Sequence, residues 1–561
     1  MPARPLLAWL HAPVNDRGIH FAQRGNGWEF WSYQRLASLA YRAAHGFAEA
    51  GVRERDHVCL ILRSGPEFVA TFFGTILAGA IPSPVAPEIA FQNPDIYAEH
   101  LAGIFETARP AKVITHPDLL PDLLDATGNG QPITAFEDLV HPIDEQPDMP
   151  DRGRAELAML QFTSGSSARC RAVKVPFEAL ETNVAAIRRW LHWTEHDPFA
   201  SWLPLHHDMG LVGALICSVV GQSDLWLLQP EHFIRKPLRY LQCFGAFGAT
   251  LTVTATFGLD YILRKVHPGA LEGLDFSRWK GMVVGAERIG AGALDEFVKL
   301  LAPFGFRRRV LRPAYGMAEA TLAITGLPME EEWSGIAVEP SSLSLGSKVV
   351  RCTEERGGSV VVGCGRPLDG VTVSIAGEEN SPMPDFAVGE IVASGASVAA
   401  GYLQHSGAYT LTQFSNGVLR TGDAGFMVEG QLFVLGRLGD SIKVRGMVVF
   451  CEDLEVALAG GIGVPRERMA ALLGLHQGIP TVVLVFERFQ EQWREQAEAI
   501  VHGFAPEAVV VLLDAEKGAI ARTSSGKPKR RLLWRSFIGG TLPGRIVKPQ
   551  PAESPLGARI D

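Results

Sequence analysis

The sequence contains few cysteines, no excess of basic residues and no long apolar run. Seven cysteines in 561 residues, none in a Cys-x-x-Cys pair, exclude a disulfide scaffold and leave a zinc knuckle without support. With 52 Lys and Arg against 61 Asp and Glu, we expect no nucleic-acid partner. The longest apolar run, Leu211 to Gly221, is shorter than the ~18 residues that span a bilayer. Too few apolar residues precede His11 for a secretory leader, so we expect a cytoplasmic protein without a membrane span.

Short β-branched runs alternate with helical patterns through most of the chain. This alternation is typical of an α/β fold with parallel-rich sheets and helical crossovers, and continuous apolar strands suit sheets that are covered on both faces. The predicted strands are 57–62, 112–115, 251–256 and 281–285, and the predicted helices are 66–78 and 181–193.

The composition changes twice toward the carboxyl end. From about Ser341, Gly, Ser and Val dominate, which predicts a β-rich subdomain with hairpin turns. After Gly436 a smaller unit begins, with a predicted strand over 444–450 and a helix from Glu452. We therefore predict a large N-terminal domain, 1–438, and a small α+β C-terminal domain, 439–561.

Hydroxyl and small residues follow an apolar strand at Thr163-Ser164-Gly165-Ser166-Ser167. Such a loop can present successive backbone N–H groups to a phosphate. Because Ser-Gly loops are common, an ordinary turn is the better interpretation of this segment taken alone.

Two further segments carry groups suited to a nucleotide or a cation. His206-His207-Asp208 has a metal-binding composition, but no distant third ligand is evident. In Tyr315-Gly316-Met317-Ala318-Glu319, an aromatic ring next to Gly can stack on a base, and a nearby carboxylate can hold Mg²⁺.

The C-terminal third adds an acidic turn and two basic segments. Asp423, at a Gly turn, can accept both hydroxyls of a ribose. Arg437 to Gly446 and Arg522 to Arg531 are basic, and Lys527 at a Ser-Gly turn can supply a point charge to a phosphate or carboxylate oxygen. Either basic segment taken alone is better interpreted as a solvated face.

The order and spacing of these motifs resemble those of the acyl-adenylate-forming superfamily. The closest branches are the fatty acyl-AMP ligases and acyl-CoA synthetases, and the resemblance covers roughly residues 10–537. The stretches that carry it, beyond those above, are Trp202 to Gly213, Phe233 to Leu241, Leu274 to Trp279, Pro313 to Gly326 and Val362 to Leu368.

This resemblance implies a two-step reaction. A carboxylic acid attacks ATP to give an acyl-AMP, and a pantetheine thiol of CoA or of a carrier protein then displaces AMP. The implied cofactors are ATP or acyl-AMP, Mg²⁺, and CoA or carrier-protein phosphopantetheine. The small domain is expected to rotate between the steps about Gly439 or Asp440.

The resemblance also implies roles for individual residues. Those expected at the nucleotide are Tyr315 stacking on adenine, Gly285, Ala286, Glu287, Gly316 and Met317 around it, Asp423 and Arg437 at the ribose, and Thr321 near the phosphates. Those expected at the reacting groups are Glu319 holding Mg²⁺, His207 beside the α-phosphate, Lys527 in adenylation, Lys443 in the thioester step, and Thr256, Phe257 and Gly258 in the acyl-pocket wall.

The phosphate loop departs from the family pattern. Where the family has Gly, Pro, Lys and Gly, this chain has Ala168, Cys170, Arg171 and Ala172. Alanine tolerates positive φ poorly, and Arg changes the shape and reach of the lysine charge. We hypothesise that ATP-dependent adenylation is weak or absent, and that the chain then converts an acyl-adenylate made by a separate ligase into a thioester.

The sequence leaves the acceptor open. An insert near 341–364 is typical of fatty acyl-AMP ligases, which load carrier proteins, whereas the intact segment 443–446 favours CoA. We expect an acyl-CoA ligase of natural-product or lipid assembly. The alternatives are a fatty acyl-AMP ligase that loads a carrier protein and a nucleotide-binding pseudo-enzyme. Retention of Glu319, Asp423 and Lys527 argues against the pseudo-enzyme.

Overall fold

The computed structural model describes residues 5–88, 94–128, 130–141, 156–163, 171–353, 358–377, 381–403, 411–444, 447–477, 479–522 and 526–547. Its α-helices are α1 Ala8–His11, α2 Tyr33–Glu49, α3 Pro66–Leu77, α4 Pro94–Ala108, α5 Leu120–Thr127, α6 Phe136–Leu139, α7 Phe177–Trp190, α8 Cys217–Gly221, α9 Pro230–Arg235, α10 Leu238–Gly245, α11 Thr256–Lys265, α12 Ala291–Leu301, α13 Cys451–Ile462, α14 Arg494–Phe504 and α15 Arg530–Ile538.

The strands of the N-terminal part are β1 Gly18–Ala22, β2 Trp28–Ser32, β3 His57–Ile61, β4 Ile81–Pro84, β5 Lys112–Thr115, β6 Ile133–Ala135, β7 Leu157–Thr163, β8 Arg171–Pro176, β9 Phe199–Ser201, β10 Leu225–Leu227, β11 Leu251–Ala255, β12 Gly281–Gly285, β13 Leu311–Gly316, β14 Ala323–Gly326, β15 Gly335–Val338, β16 Ser359–Val362 and β17 Arg366–Pro367. The remaining strands are β18 Val371–Ala376, β19 Gly389–Gly395, β20 Gln413–Ser415, β21 Val418–Val428, β22 Gln431–Arg437, β23 Ser441–Val444, β24 Met447–Phe450, β25 Met469–His476, β26 Ile479–Glu487, β27 Val509–Ala515 and β28 Arg545–Ile546.

The main sheet has nine strands among the described residues, in the order β17-β14-β13-β12-β11-β9-β10-β1-β2. The strands from β13 through β1 run parallel, whereas β2, β14 and β17 are antiparallel to their neighbours. A second sheet, β4-β3-β5-β6, is parallel throughout. The predicted α/β class with parallel-rich sheets is confirmed.

Helices α2 and α3 pack on each other and against strands of these two sheets through apolar side chains. In α3 almost every residue is buried, so this helix packs on several sides. It begins with Pro66, which fits the first turn because that position needs no N–H donor. Helix α2 is amphipathic, and the Ser32 hydroxyl accepts a hydrogen bond from the Arg35 N–H at its start.

The β-rich region forms a five-stranded antiparallel arrangement of β18, β19, β21 and β20, with β22 paired to β21. The predicted insert packs on it, because Val349 of that segment and Val361 of β16 share a core with Phe426 of β21. Phe450 of β24 belongs to the same core.

The C-terminal part has hydrophobic cores of its own. One includes Leu454, Val482 and Leu512, and another lies on the opposite face of the same sheet, β25-β26-β27-β28. A large N-terminal and a small C-terminal body therefore form, which is the adenylate-forming enzyme fold. In the part of the chain that is described, helices long and apolar enough to cross a bilayer are absent.

Candidate active site

A cavity of about 570 Å³ opens where the carboxyl ends of β9, β11, β12 and β13 face the β-rich sheet and the C-terminal body. The carboxyl ends of parallel strands are the usual place for a ligand in an open α/β sheet. The cavity lies within the size range of small-molecule sites. Its walls include an apolar part and a polar part.

The polar part of the cavity includes Tyr315, Asp423 and Arg437. Tyr315 lies near the end of β13, whereas Asp423 of β21 and Arg437 of β22 are paired across the β-rich sheet. The Tyr315 hydroxyl donates to Asp423 Oδ2 at 2.6 Å, and Arg437 Nε lies 3.0 Å from Asp423 Oδ1. Burial and the adjacent Asp423 raise the pKa of Tyr315 well above its ordinary value, so the phenol stays a proton donor.

Gly285, the last residue of β12, and the next two residues, Ala286 and Glu287, line the cavity. Ala286 has φ 68°, a left-handed conformation that costs a non-glycine residue energy. Gly316 and Met317, which follow Tyr315 in the chain, line the cavity as well.

Glu319 lies on a short turn after β13 and lines the cavity. The carboxylate is buried, and its Oε1 accepts a hydrogen bond from the Tyr402 hydroxyl at 2.7 Å. Thr321 follows with φ 69°, and its fully buried hydroxyl donates to the Ser397 carbonyl at 2.8 Å. Such a φ is unusual for a β-branched residue, so the bond to Ser397 helps to hold a strained turn.

The turn that carries His206, His207 and Asp208 is held by Gln161 of β7, whose amide donates to the His206 carbonyl at 2.8 Å. His207 and Asp208 line the cavity. Burial raises the pKa of Asp208 to about 6, although the Met209 N–H and the charge of Lys527 oppose that shift. Burial lowers the pKa of His206, so this imidazole is neutral.

Aromatic and aliphatic side chains line the apolar part of the cavity. Trp202 follows β9, stacks flat on Phe233 at 4.0 Å and meets Phe257 edge-on. Met209 and Gly213 also line the cavity, and they belong to a π-helix over Met209–Ile216, a rare form that often occurs at functional sites. A Cβ at Gly213 would lie only 3.1 Å from Leu322 Cδ2, which is a tight contact, so glycine at this position avoids crowding against Leu322. The polar part of the cavity thus continues into an apolar pocket.

The C-terminal body contributes Lys527, Gly439 and Asp440 to the cavity. Asp440 is tied to Arg530 at 3.4 Å, and Arg530 also pairs with Glu455 at 2.8 Å. A buried guanidinium with several carboxylate partners is the arrangement that a desolvated charge requires. This network fixes the segment that carries Lys527 against the residues that follow β22.

Comparison with known proteins agrees with this geometry. The family model described as "AMP-binding enzyme" matches residues 11–403. The chain belongs to the AMP-binding enzyme family. It is 30% identical over 546 residues to a putative acyl-CoA synthetase of Caulobacter vibrioides, covering 94% of each chain. It is 28% identical to the medium-chain-fatty-acid–[acyl-carrier-protein] ligase JamA of Moorena producens, covering 91% of this chain and 90% of that protein.

A solved structure from a study of fatty acyl-adenylate ligases of E. coli and L. pneumophila superposes with a TM-score of 0.84. The identity is 27%, and the superposition covers 96% of this chain and 98% of that one. A fatty acyl-adenylate ligase of L. pneumophila in complex with acyl adenylate and pyrophosphate is 25% identical, with a TM-score of 0.70 and coverage of 96% of both chains.

Most of the residues predicted for an AMP-binding enzyme meet at this one cavity. Those that line it are Thr163, His207, Phe257, Gly285, Ala286, Glu287, Tyr315, Gly316, Met317, Glu319, Asp423, Arg437, Gly439, Asp440 and Lys527. Three others lie behind its surface, namely Thr256, Gly258 and Thr321. The loop residues Ser164, Gly165, Ser166 and Ser167 and the side chain of Lys443 lie outside the described residues.

Several residues around the cavity carried no predicted role. Gln161 supports the His206 turn, and Tyr402 bonds to Glu319. Arg288 lines the cavity and forms a buried ion pair with Asp453 of the C-terminal body. No local pattern distinguishes these residues, because each acts through a partner more than 40 positions away in the chain.

Glu319 is the group on which a divalent cation is expected. Across the residues described, no three His, Cys, Asp or Glu side chains form a metal-binding group. Mg²⁺ usually takes one or two carboxylates and completes its shell with substrate phosphates and water. Glu319, which belongs to no cluster of three such groups among the described residues, therefore fits a cation that arrives with a nucleotide better than a resident ion.

Proposed function

We propose that this AMP-binding enzyme joins a carboxylic acid to a thiol through an acyl-adenylate. One observation carries the proposal: Asp423, Tyr315, Glu319 and Lys527 converge on a cavity that continues into an apolar pocket. A nucleoside monophosphate has a base, a diol and a phosphate, and an acyl group is apolar. The two parts of the cavity match the two parts of this intermediate.

The proposed roles follow from the contacts. The Tyr315 ring stacks on the base, and Gly285, Ala286 and Glu287, which line the same cavity, complete the base pocket. Asp423 accepts the ribose hydroxyls while Arg437 balances its charge. The acyl group lies between Trp202 and the wall formed by 209–216.

In the first step a carboxylate oxygen of the acid bonds to the α-phosphorus, and the bond to pyrophosphate breaks. Lys527 donates hydrogen bonds to the oxygens on which charge develops, and His207 orients the acid from the turn held by Gln161. Mg²⁺, bound at Glu319 with the phosphates, would supply charge neutralisation there.

In the second step a thiolate sulfur bonds to the acyl carbonyl carbon, and the bond to AMP breaks. We propose that the C-terminal domain, 439–561, rotates about Gly439 or Asp440 to expose Lys443 and its neighbours to this step. The acceptor we favour is CoA.

We propose that the first step is slow in this enzyme. The loop 164–170 carries Ala168 and Cys170 where the family has Gly and Pro, and Arg171 stands where the family has Lys. A lost phosphate contact in a transition state costs on the order of 10²-fold in rate. The second step does not use those contacts, so a supplied acyl-adenylate should bypass the defect.

Mass spectrometry of four reactions tests this function. Enzyme is incubated with ATP plus a panel of fatty and arylalkanoic acids, or with synthetic acyl-adenylates, each with and without CoA. We expect thioester from acyl-adenylate plus CoA at a rate well above that from ATP plus acid. Rapid pyrophosphate exchange with any acid would contradict the slow first step. No thioester and no adenylate in any tube would contradict the function itself.

A second candidate acceptor is the pantetheine arm of a carrier protein. Two observations favour it: the 341–364 segment packs on the β-rich core together with Phe450, and JamA is an acyl-carrier-protein ligase. Replacing CoA by holo carrier protein in the same reactions distinguishes the two. Acylation of the carrier with none of CoA would select this candidate.

A further inference from the structure

One short segment, 397–403, is bonded both to the strand that follows the phosphate loop and to the turn that carries Glu319. Toward β8, Leu403 N–H donates to the Ala172 carbonyl at 2.9 Å, and Val173 forms a bridge with Tyr402. Toward the turn, Ala399 N–H donates to the Glu319 carbonyl at 3.0 Å. The segment therefore fixes the distance between Arg171, the first residue of β8, and Glu319.

Tyr402 occupies the gap between those two side chains. Its hydroxyl donates to Glu319 Oε1 at 2.7 Å, and the Arg171 guanidinium carbon lies 5.5 Å from its ring centroid. Arg171 also donates a side-chain hydrogen bond to it. Phe414 packs against the ring edge-on at 5.3 Å, which limits its rotation.

Arg171 and Glu319 both line the cavity, whereas Tyr402 does not. Tyr402 can therefore influence a bound nucleotide only through its two neighbours. Because its hydroxyl is shared between the guanidinium and the carboxylate, one side chain sets the direction of both charged groups. A cation–nucleotide complex needs these groups in matched positions, the guanidinium for a phosphate oxygen and the carboxylate for the cation.

We propose that Tyr402 is a positioning residue that aims Glu319 at the cation and Arg171 at a phosphate of the same nucleotide. This inference rests on the proposed function. Arg171, braced by the Tyr402 ring, then keeps the positive charge of the family lysine with a different shape and reach, so the phosphate contact is altered and the first step stays slow.

Tyr402→Phe tests the role, because Phe keeps the ring against Arg171 and Phe414 and removes the hydroxyl. Binding of Mn²⁺ with α,β-methylene-ATP, read by electron paramagnetic resonance, should weaken about tenfold, since one charge-assisted hydrogen bond is lost. The Mg²⁺ concentration for half-maximal turnover should rise in parallel. Tyr33→Phe is the matched control, because it removes a buried hydroxyl that donates to the Ser223 carbonyl at 2.6 Å, and neither residue lines the cavity.

A double substitution shows whether Tyr402 acts through Glu319. If it does, Tyr402→Phe combined with Glu319→Gln binds Mn²⁺–nucleotide as weakly as Glu319→Gln alone. Wild-type Mn²⁺ affinity in Tyr402→Phe, an equal loss in Tyr33→Phe, or fully additive losses would overturn the proposal. A wild-type protein that makes thioester from acyl-adenylate yet binds no Mn²⁺–nucleotide would also overturn it, while leaving the proposed function intact.

Discussion

At the scale of single residues, Asp423 and Asp208 both line the cavity, but their surroundings differ. Asp423 has a hydroxyl donor, Tyr315, and a guanidinium partner, Arg437. Asp208 accepts from the Met209 N–H and feels the Lys527 charge, but burial dominates. These differences predict that Asp423 contributes to ligand binding, and that ionisation of Asp208 lowers the stability of the folded protein as pH rises.

Asp423→Asn keeps the shape of the side chain and removes its charge. Hydrogen bonds to a charged acceptor contribute about 1.5–3 kcal/mol, so the dissociation constant for an acyl-sulfamoyl-adenosine should rise by at least about tenfold. Isothermal calorimetry measures it. The matched control is Asp369→Asn, which breaks the exposed pair with Arg189 and should leave binding unchanged. Equal affinity in Asp423→Asn and wild type would contradict the assignment.

Asp208→Asn should change how stability depends on pH. The folded-state pKa of about 6 lies above the ordinary 3.8, so the folded protein binds this proton more tightly than the unfolded chain. The protonated Asp208 carboxyl therefore contributes to the free energy of unfolding below about pH 4. This contribution, on the order of 2–3 kcal/mol, is lost as pH rises through 6. The variant should therefore gain melting temperature relative to wild type between pH 4 and pH 7. A difference that is constant with pH would refute this.

At the scale of elements, the end of β13 passes very close to the chain that returns as β14. A Cβ on Gly316 would lie 1.9 Å from the Leu322 carbonyl oxygen, and backbone cannot move aside cheaply. The glycine is thus required by the close approach that places Tyr315 next to the Glu319 turn.

Gly316→Ala should destabilise the protein by at least about 1–3 kcal/mol and weaken nucleotide binding, because the turn must shift. Gly292→Ala is the matched control: it lies in the first turn of α12 with no atom within 4 Å of its Cβ position, and should not lower stability. Chemical denaturation compares the two. A Gly316→Ala protein with unchanged stability and affinity would contradict the packing argument.

Strong local patterns predicted several elements even though their partners lie far away in the chain. Strands 112–115 and 281–285 match β5 and β12, and helix 66–78 matches α3. Helix 181–193 begins earlier, at Phe177, because Pro176 ends β8 and the helix starts directly after it.

Other features depended on tertiary pairing and were not predicted. The run 444–450 contains the end of β23 and all of β24, an antiparallel pair, since an apolar run does not reveal a hairpin by its period. The π-helix at 209–216 and the placement of Tyr402 likewise follow from packing between distant segments. At the cavity, motif resemblance identified most of the residues that line it and missed those that hold them in place.

At the scale of the whole molecule, two ion pairs join the N-terminal and C-terminal bodies. Arg288 pairs with Asp453 in nearly complete burial, and Arg264 pairs with Glu467 where about a third of each side chain is exposed. Breaking a buried pair leaves an uncompensated charge, whereas an exposed pair contributes little. The first pair should therefore dominate the stability of this arrangement.

Asp453→Asn should loosen the contact between the bodies and speed trypsin cleavage near residues 437–446, where several basic residues lie. Glu467→Gln, which breaks the exposed pair, is the matched control and should leave the cleavage rate within about twofold of wild type. Small-angle scattering should show a wider distribution of shapes for Asp453→Asn alone. Identical behaviour of the two variants would show that burial of the pair does not matter.

The most direct test is a crystal structure of the enzyme with a non-hydrolysable acyl-adenylate. The structure predicts the adenine against Tyr315, the ribose hydroxyls on Asp423 and the acyl chain beside Trp202. An analogue seated elsewhere, or an empty cavity at saturating analogue, would contradict the account.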